Sequence, residues 1–157
     1  MLTRHLRIVI PHLNPFVASK RASPKEFLMP QWDYRRTWYH GSPHRLTTLR
    51  TGSTITQDRH LATVFSHKPT VVSISGREIR HNGTQPGFLY RIAEEIGPRD
   101  AHPHPRTTME PGQEWLTDRE LRLELIGPTE VVEAELLTEE ELRELERRAS
   151  LRKRRSA

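Results

Sequence analysis

Apolar and polar residues alternate in a way that divides the chain into a patternless N-terminal stretch, a central series of short strand-like segments and one C-terminal helix. Residues 1 to 31 carry Pro11, Pro15, Pro24 and Pro30 with no sustained periodicity, which predicts a flexible leader ahead of a domain spanning residues 32–137. Thr37-Trp38-Tyr39-His40 is β-prone and runs into Gly41-Ser42-Pro43, a strand entering a turn. A short apolar stretch around Leu46 and Leu49 follows, then Gly52 and the β-branched run Thr54-Ile55-Thr56. Asp58 is placed to cap a short helix through Ser66 with Leu61, Ala62 and Phe65 on one face, and Pro69 closes it.

Thr70 to Ile74 reads as a strand, and His81-Asn82-Gly83-Thr84 as a turn. In Gly87 to Ile92 the alternation sets Phe88, Tyr90 and Ile92 on one face, with Tyr90 packed in the sheet. Residues 97–112, broken by Pro98, Pro103, Pro105 and Pro111, form a long loop of the kind that more often serves function than not. Glu114 to Thr117, Leu121 to Ile126 and Val131 to Leu137 read as three closing strands, the last two separated by Gly127-Pro128. Residues 138–157 form a helix and basic tail: Thr138-Glu139-Glu140-Glu141 is a capping box, Leu142, Leu145 and Ala149 make the apolar stripe, and Glu139/Arg143 and Glu144/Arg148 support the outer face. The fold class expected is α+β, a split β-sheet core with few short helices and a C-terminal helix.

Composition narrows this picture. With 34% hydrophobic and 29% charged residues among 157, the ordered core should be small and central. The absence of cysteine excludes disulfides, thiolate metal sites and a Cys nucleophile, and fits a reducing, cytoplasmic setting. No apolar run approaches a membrane span, so no membrane partner is expected. The net charge of +5 gathers at the ends, at Arg4, Arg7, Lys20 and Arg21 and at Arg152-Lys153-Arg154-Arg155, a distribution that suits weak nucleic-acid contact through the tail. No zinc-finger, RNP or basic-zipper pattern accompanies it. The Arg-bearing N-terminus, free of acidic residues before Glu26, has the alternative reading of an organelle presequence.

Two motifs carry candidate chemistry: Tyr39-His40-Gly41-Ser42 at the end of the first strand, and Gln113-Glu114-Trp115 at the start of a late one. Their order and intervening elements resemble the ADP-ribosyltransferase superfamily of the diphtheria-toxin and poly(ADP-ribose) polymerase type, with a secondary likeness to the rifamycin ADP-ribosyltransferases, over roughly residues 37 to 137. The resemblance implies NAD as substrate. His40 would bond the adenosine ribose, Gly41 would admit the nicotinamide carboxamide to the backbone, Ser42 would bond carboxamide or ribose, and Phe65 would stack on nicotinamide. Glu114 would be the catalytic carboxylate, holding the ribose 2′-hydroxyl and stabilising an oxocarbenium ion. Arg106, Thr107 and Thr108 would approach the pyrophosphate or the acceptor, whose identity the motifs leave open.

One departure is plain: Ile55 or Thr56 stands where polymerase-like members carry a tyrosine against nicotinamide. Two other functions stay in view: transfer of an RNA 2′-phosphate to NAD, which the basic termini favour and Glu114 opposes, and a non-catalytic module that binds NAD, ADP-ribose or a protein partner, which the missing tyrosine favours. A metal held by His102 and His104 with Asp100 or His81 has no familiar zinc spacing, and none is expected.

Overall fold

The computed structural model describes residues 8–11 and 32–156 and is a mixed α and β fold of two helices and three small sheets. The first sheet contains β1 (Ile8–Pro11), which lies within the segment expected to be a leader; the rest of that segment falls outside the described residues. β2 (Tyr39–Ser42) and β3 (Thr48–Leu49) enter the second sheet, and β4 (Thr54–Ile55) the third. Then come α1 (Arg59–Ser66), β5 (Val71–Ser75), β6 (Glu78–His81) and β7 (Gly87–Ile92). β8 (Ala101–Pro103), β9 (Trp115–Thr117), β10 (Leu121–Thr129) and α2 (Glu139–Arg155) complete the chain.

The sheet orders are β1-β5-β6, β2-β7-β10-β3 and β4-β9-β8, with β1 parallel to β5 and the other ladders antiparallel. A single Tyr39–Thr56 bridge joins the second sheet to the third, so seven short strands curl into one continuous surface. Its concave side holds Trp38, Leu49, Ile55, Ile92, Ile96, Ala101, Trp115 and Leu121, all buried. A second cluster of Leu61, Val64, Phe65, Val72, Ile79 and Met109 lies between α1 and the β5–β6 hairpin.

α1 forms where its cap and stripe predict: the Asp58 carboxylate accepts the Leu61 N–H at 3.1 Å, and Leu61, Ala62 and Phe65 are buried. It lies unusually close to β2. A Cβ on Gly41 would sit 1.8 Å from the Ala62 carbonyl oxygen, and one on Gly87 of the neighbouring strand 2.4 Å from that of Ser66. These two glycines let a helix backbone rest directly on a strand pair. β5 alternates, with Val72 facing α1 and Val71 facing Leu145, the one buried residue of α2. The capping box at Thr138 and Glu141 is formed, as are the Glu139–Arg143 and Glu144–Arg148 pairs.

The structure corrects four local expectations. Val131 to Leu137 is not a strand: β10 runs through Gly127-Pro128 to Thr129, with a bulge between Leu125 and Gly127 absorbing the break. The chain then makes a 3-10 turn at Glu133–Glu135. His81 ends β6 rather than starting a turn, and the loop at 97–112 contains β8. Leu125, although paired with Tyr90 in the ladder, is 43% exposed. No described helix is long and apolar enough to cross a membrane.

Candidate functional site

Glu114 immediately precedes β9, and its position follows from strand register. Ile55 pairs with Trp115 and Thr56 bridges Tyr39, so one step past the Ile55–Trp115 pair brings Glu114 level with Thr56. Opposed residues of an antiparallel ladder project to the same face. Tyr39, Thr56 and Glu114 therefore form a row across three strands, on the face away from Ile55 and Trp115.

The Glu114 side chain is 9% exposed. One carboxylate oxygen accepts the Thr107 hydroxyl at 2.8 Å, and that hydroxyl in turn accepts the Met109 N–H at 3.1 Å, which fixes the direction of its proton. The Glu114 carbonyl accepts the His104 N–H at 2.9 Å, and the His104 ring accepts the Arg106 N–H at 3.0 Å. With Met109 buried beneath α1, the segment from His104 to Gln113 is a braced loop whose anchor holds the acid. Thr107 thus contacts Glu114 directly.

The first motif occupies the point where β2 and β4 part. The backbones exchange hydrogen bonds at Tyr39 and Thr56, and the His40 ring then reaches across, its Nδ1 2.7 Å from the Thr54 carbonyl. Because a carbonyl only accepts, Nδ1 carries the proton of the neutral ring. His40 shares its face with Tyr90, whose ring centroid is 6.5 Å away, while Gly41 faces α1. Strand alternation thus sets Tyr39, rather than His40, on the face shared with Glu114. Ser42 is buried, its hydroxyl accepting the His44 N–H at 3.1 Å, and Phe65 is 4% exposed within the α1 cluster.

Beside this row opens a cleft of about 450 Å³, with Trp32, Arg36, Thr56, Gln57, Asp58, Arg59 and the turn from Glu110 to Gln113 as its walls. Gly112 at φ +88° makes that turn, and its missing Cβ seats the Trp32 ring, since a methyl there would lie 2.2 Å from the indole. Four buried side-chain polar atoms lack a hydrogen-bond partner among the described residues, and three of them are carried by residues of these walls: Trp32 Nε1, Gln57 Oε1 and Gln113 Oε1. An unpaired buried group of this kind costs about 1–3 kcal/mol. Sequence periodicity gives no sign of the convergence, because Trp32 and Gln57 lie far from Gln113 along the chain.

The fourth such atom is His81 Nε2, within a separate group. The His81 ring stacks on His67 at 5.5 Å, its Nδ1 accepts the Gly83 N–H, and Nε2 lies 3.7 Å from Glu135, which His60 also contacts. Burial, then the neighbouring His67, push the His81 pKa below its ordinary value. His102 pairs with Asp118 at 2.8 Å, and no cluster of three or more His, Cys, Asp or Glu among the described residues is arranged to hold a metal ion. The chain matches no protein-family model, no curated protein and no solved structure.

Proposed function

We propose that the protein cleaves the nicotinamide–ribose bond of NAD, as a mono-ADP-ribosyltransferase or NAD glycohydrolase of ADP-ribosyltransferase type. The observation that supports this most is the Glu114 carboxylate, nearly buried, oriented by Thr107 and set beside a cleft in one row with Tyr39 and Thr56. Nicotinamide is cationic in NAD and departs neutral, so the step needs no general acid on the leaving group, unlike an ordinary glycoside. It needs a fixed negative charge where the ribose becomes oxocarbenium-like, and a preoriented carboxylate supplies that without reorganising.

In this reading NAD lies along the gap between β2 and β4. His40 bonds a ribose hydroxyl, and Gly41-Ser42 and Phe65 serve the nicotinamide end. The packing of Gly41 against Ala62 leaves its peptide edge, rather than its α-carbon, to make that contact. The acceptor is a protein, a nucleic acid, a small molecule or water.

Purified protein incubated with NAD should release nicotinamide, and Glu114→Gln should cut that rate by about 10²-fold or more while changing NAD affinity little. Binding of NAD by the wild type with no release would favour the non-catalytic module, and transfer of a labelled RNA 2′-phosphate would favour the phosphotransferase. Absence of any NAD binding would end the reading.

A further inference from the structure

α2 leaves the body of the protein before it ends. Leu142, Leu145 and Ala149 pack it against Val71 and Leu137, and every residue from Ser150 to Ser156 is exposed. Successive side chains of an α-helix are about 100° apart, so an exposed run from Ser150 to Arg155 goes round the whole circumference. No side of the helix therefore rests on the domain after Ala149, and its last turns stand in solvent.

This projecting end is strongly cationic. No acidic residue follows Glu146 in the sequence, whereas Arg147, Arg148, Arg152, Lys153, Arg154 and Arg155 do. Glu144 engages Arg147 at 2.6 Å and Arg148 at 2.8 Å. The other four form no ion pair among the described residues, and the negative end of the helix dipole favours their charge there. At helical spacing Arg152 and Arg155 point one way, and Lys153 and Arg154 the opposite way.

That arrangement discriminates between polyanions. A lipid surface meets a helix from one side and requires an apolar face to bury, but here cations stand on opposite sides and Leu151 is the one large apolar residue after Ala149. The major groove of DNA has phosphates along both walls and is about 12 Å wide, which admits a helix about 10–12 Å across. Guanidinium groups, three of the four free cations, also match phosphate bidentately. We propose that the projecting end of α2 binds duplex DNA, lying in the major groove with Arg152 and Arg155 on the phosphates of one wall and Lys153 and Arg154 on those of the other. The contacts are to the backbone, so binding is independent of base sequence. Neither His40 nor Glu114 takes part, and the surface does not depend on the cleavage of NAD.

The test is fluorescence anisotropy of a short labelled DNA duplex of mixed sequence, titrated with the full chain at several salt concentrations. Four neutralised phosphates set a logarithmic slope of about −3.6, so affinity should fall about 10²-fold between roughly 50 and 200 mM salt. Arg152→Gln/Lys153→Gln/Arg154→Gln/Arg155→Gln should weaken binding about 10²-fold at the lower salt and flatten the slope. Because these side chains pack on nothing, that variant should unfold at the same urea concentration as the wild type. Arg50→Gln/Lys68→Gln/Arg77→Gln/Arg99→Gln makes the same change in net charge at exposed positions elsewhere and should bind like the wild type. No binding at the lower salt, unchanged affinity in the helix variant or an equal loss in the charge-matched control would overturn the proposal. So would phosphatidylserine vesicles that capture the protein in preference to the duplex.

Discussion

The β8–β9 hairpin has two ends that treat polar groups in opposite ways. At the Ala101–Thr117 end, Arg119 donates to Asp100 at 2.7 Å and to Glu94 at 3.0 Å. Asp100 also accepts the Gly97 N–H, and the Glu94 carboxylate that of Arg122. At the Pro103–Trp115 end, Gln113, Gln57 and Trp32 keep buried atoms without partners beside a cleft. Both ends rest on the same Trp115, which is fully buried. The difference is one of pairing: the first end closes its polar groups into a network, whereas the second leaves buried groups unpaired in the walls of a cleft.

Four experiments would break or sharpen that contrast. The largest effect should come from Trp115→Ala, which removes the support common to both ends and should cost about 3–5 kcal/mol in urea-monitored unfolding. Gly112→Ala should cost about 1–3 kcal/mol, because it puts a methyl against the Trp32 ring at a positive φ, and should damage the cleft end alone. Chemical shifts at Asp100 and Arg119 that move as much as those at Trp32 would contradict this separation.

Arg119→Met tests the closed end. Hydrogen bonds from Arg119 first and the Gly97 N–H next hold Asp100 below its ordinary pKa of 3.8, and the Arg122 N–H followed by Arg119 holds Glu94 below 4.5. Both carboxyls bind protons more readily when unfolded, so their stabilisation is present above those ordinary values and is lost as pH falls through the folded ones. With the network partly exposed to solvent, the substitution should cost about 0.5–1 kcal/mol at neutral pH. It should also flatten the fall in stability below about pH 4.5. An identical acid limb in the variant would show that Arg119 does not set these ionisations.

The smallest effect should have the opposite sign. Gln113→Met without ligand replaces an unpaired buried oxygen by an apolar group, and should leave stability unchanged or raise it by about 0.5 kcal/mol. A loss of more than about 1 kcal/mol would mean that Gln113 makes a bond the fold needs.

Local signals in the sequence were enough for α1 and α2, because a cap and an apolar stripe act within a few residues: Asp58 before Leu61, Thr138 before Glu141. The strand at Gly87 to Ile92 and the start of β9 were legible for the same reason. Less legible was anything settled by the partner across a ladder. Gly127-Pro128 has the composition of a break, yet β7 continues alongside it and a bulge takes up the extra residue. Val131 to Leu137 has the composition of a strand but finds no ladder, and becomes a turn with one bridge, Leu136 to His81.

The candidate site divides along the same line. Sequence alone determined that a glutamate would open a late strand, since that follows from residue type and local pattern; Gly41 and Ser42, expected to turn, instead continue β2 in register with Leu89 and Phe88. Only tertiary structure decided that Glu114 stands in register with Thr56 and Tyr39, that Gly41 is a glycine on which α1 rests, and that Trp32, Gln57 and Gln113 meet around one cleft. The physical reason is that register and close approach depend on pairings between distant segments, which the period of a single segment does not encode.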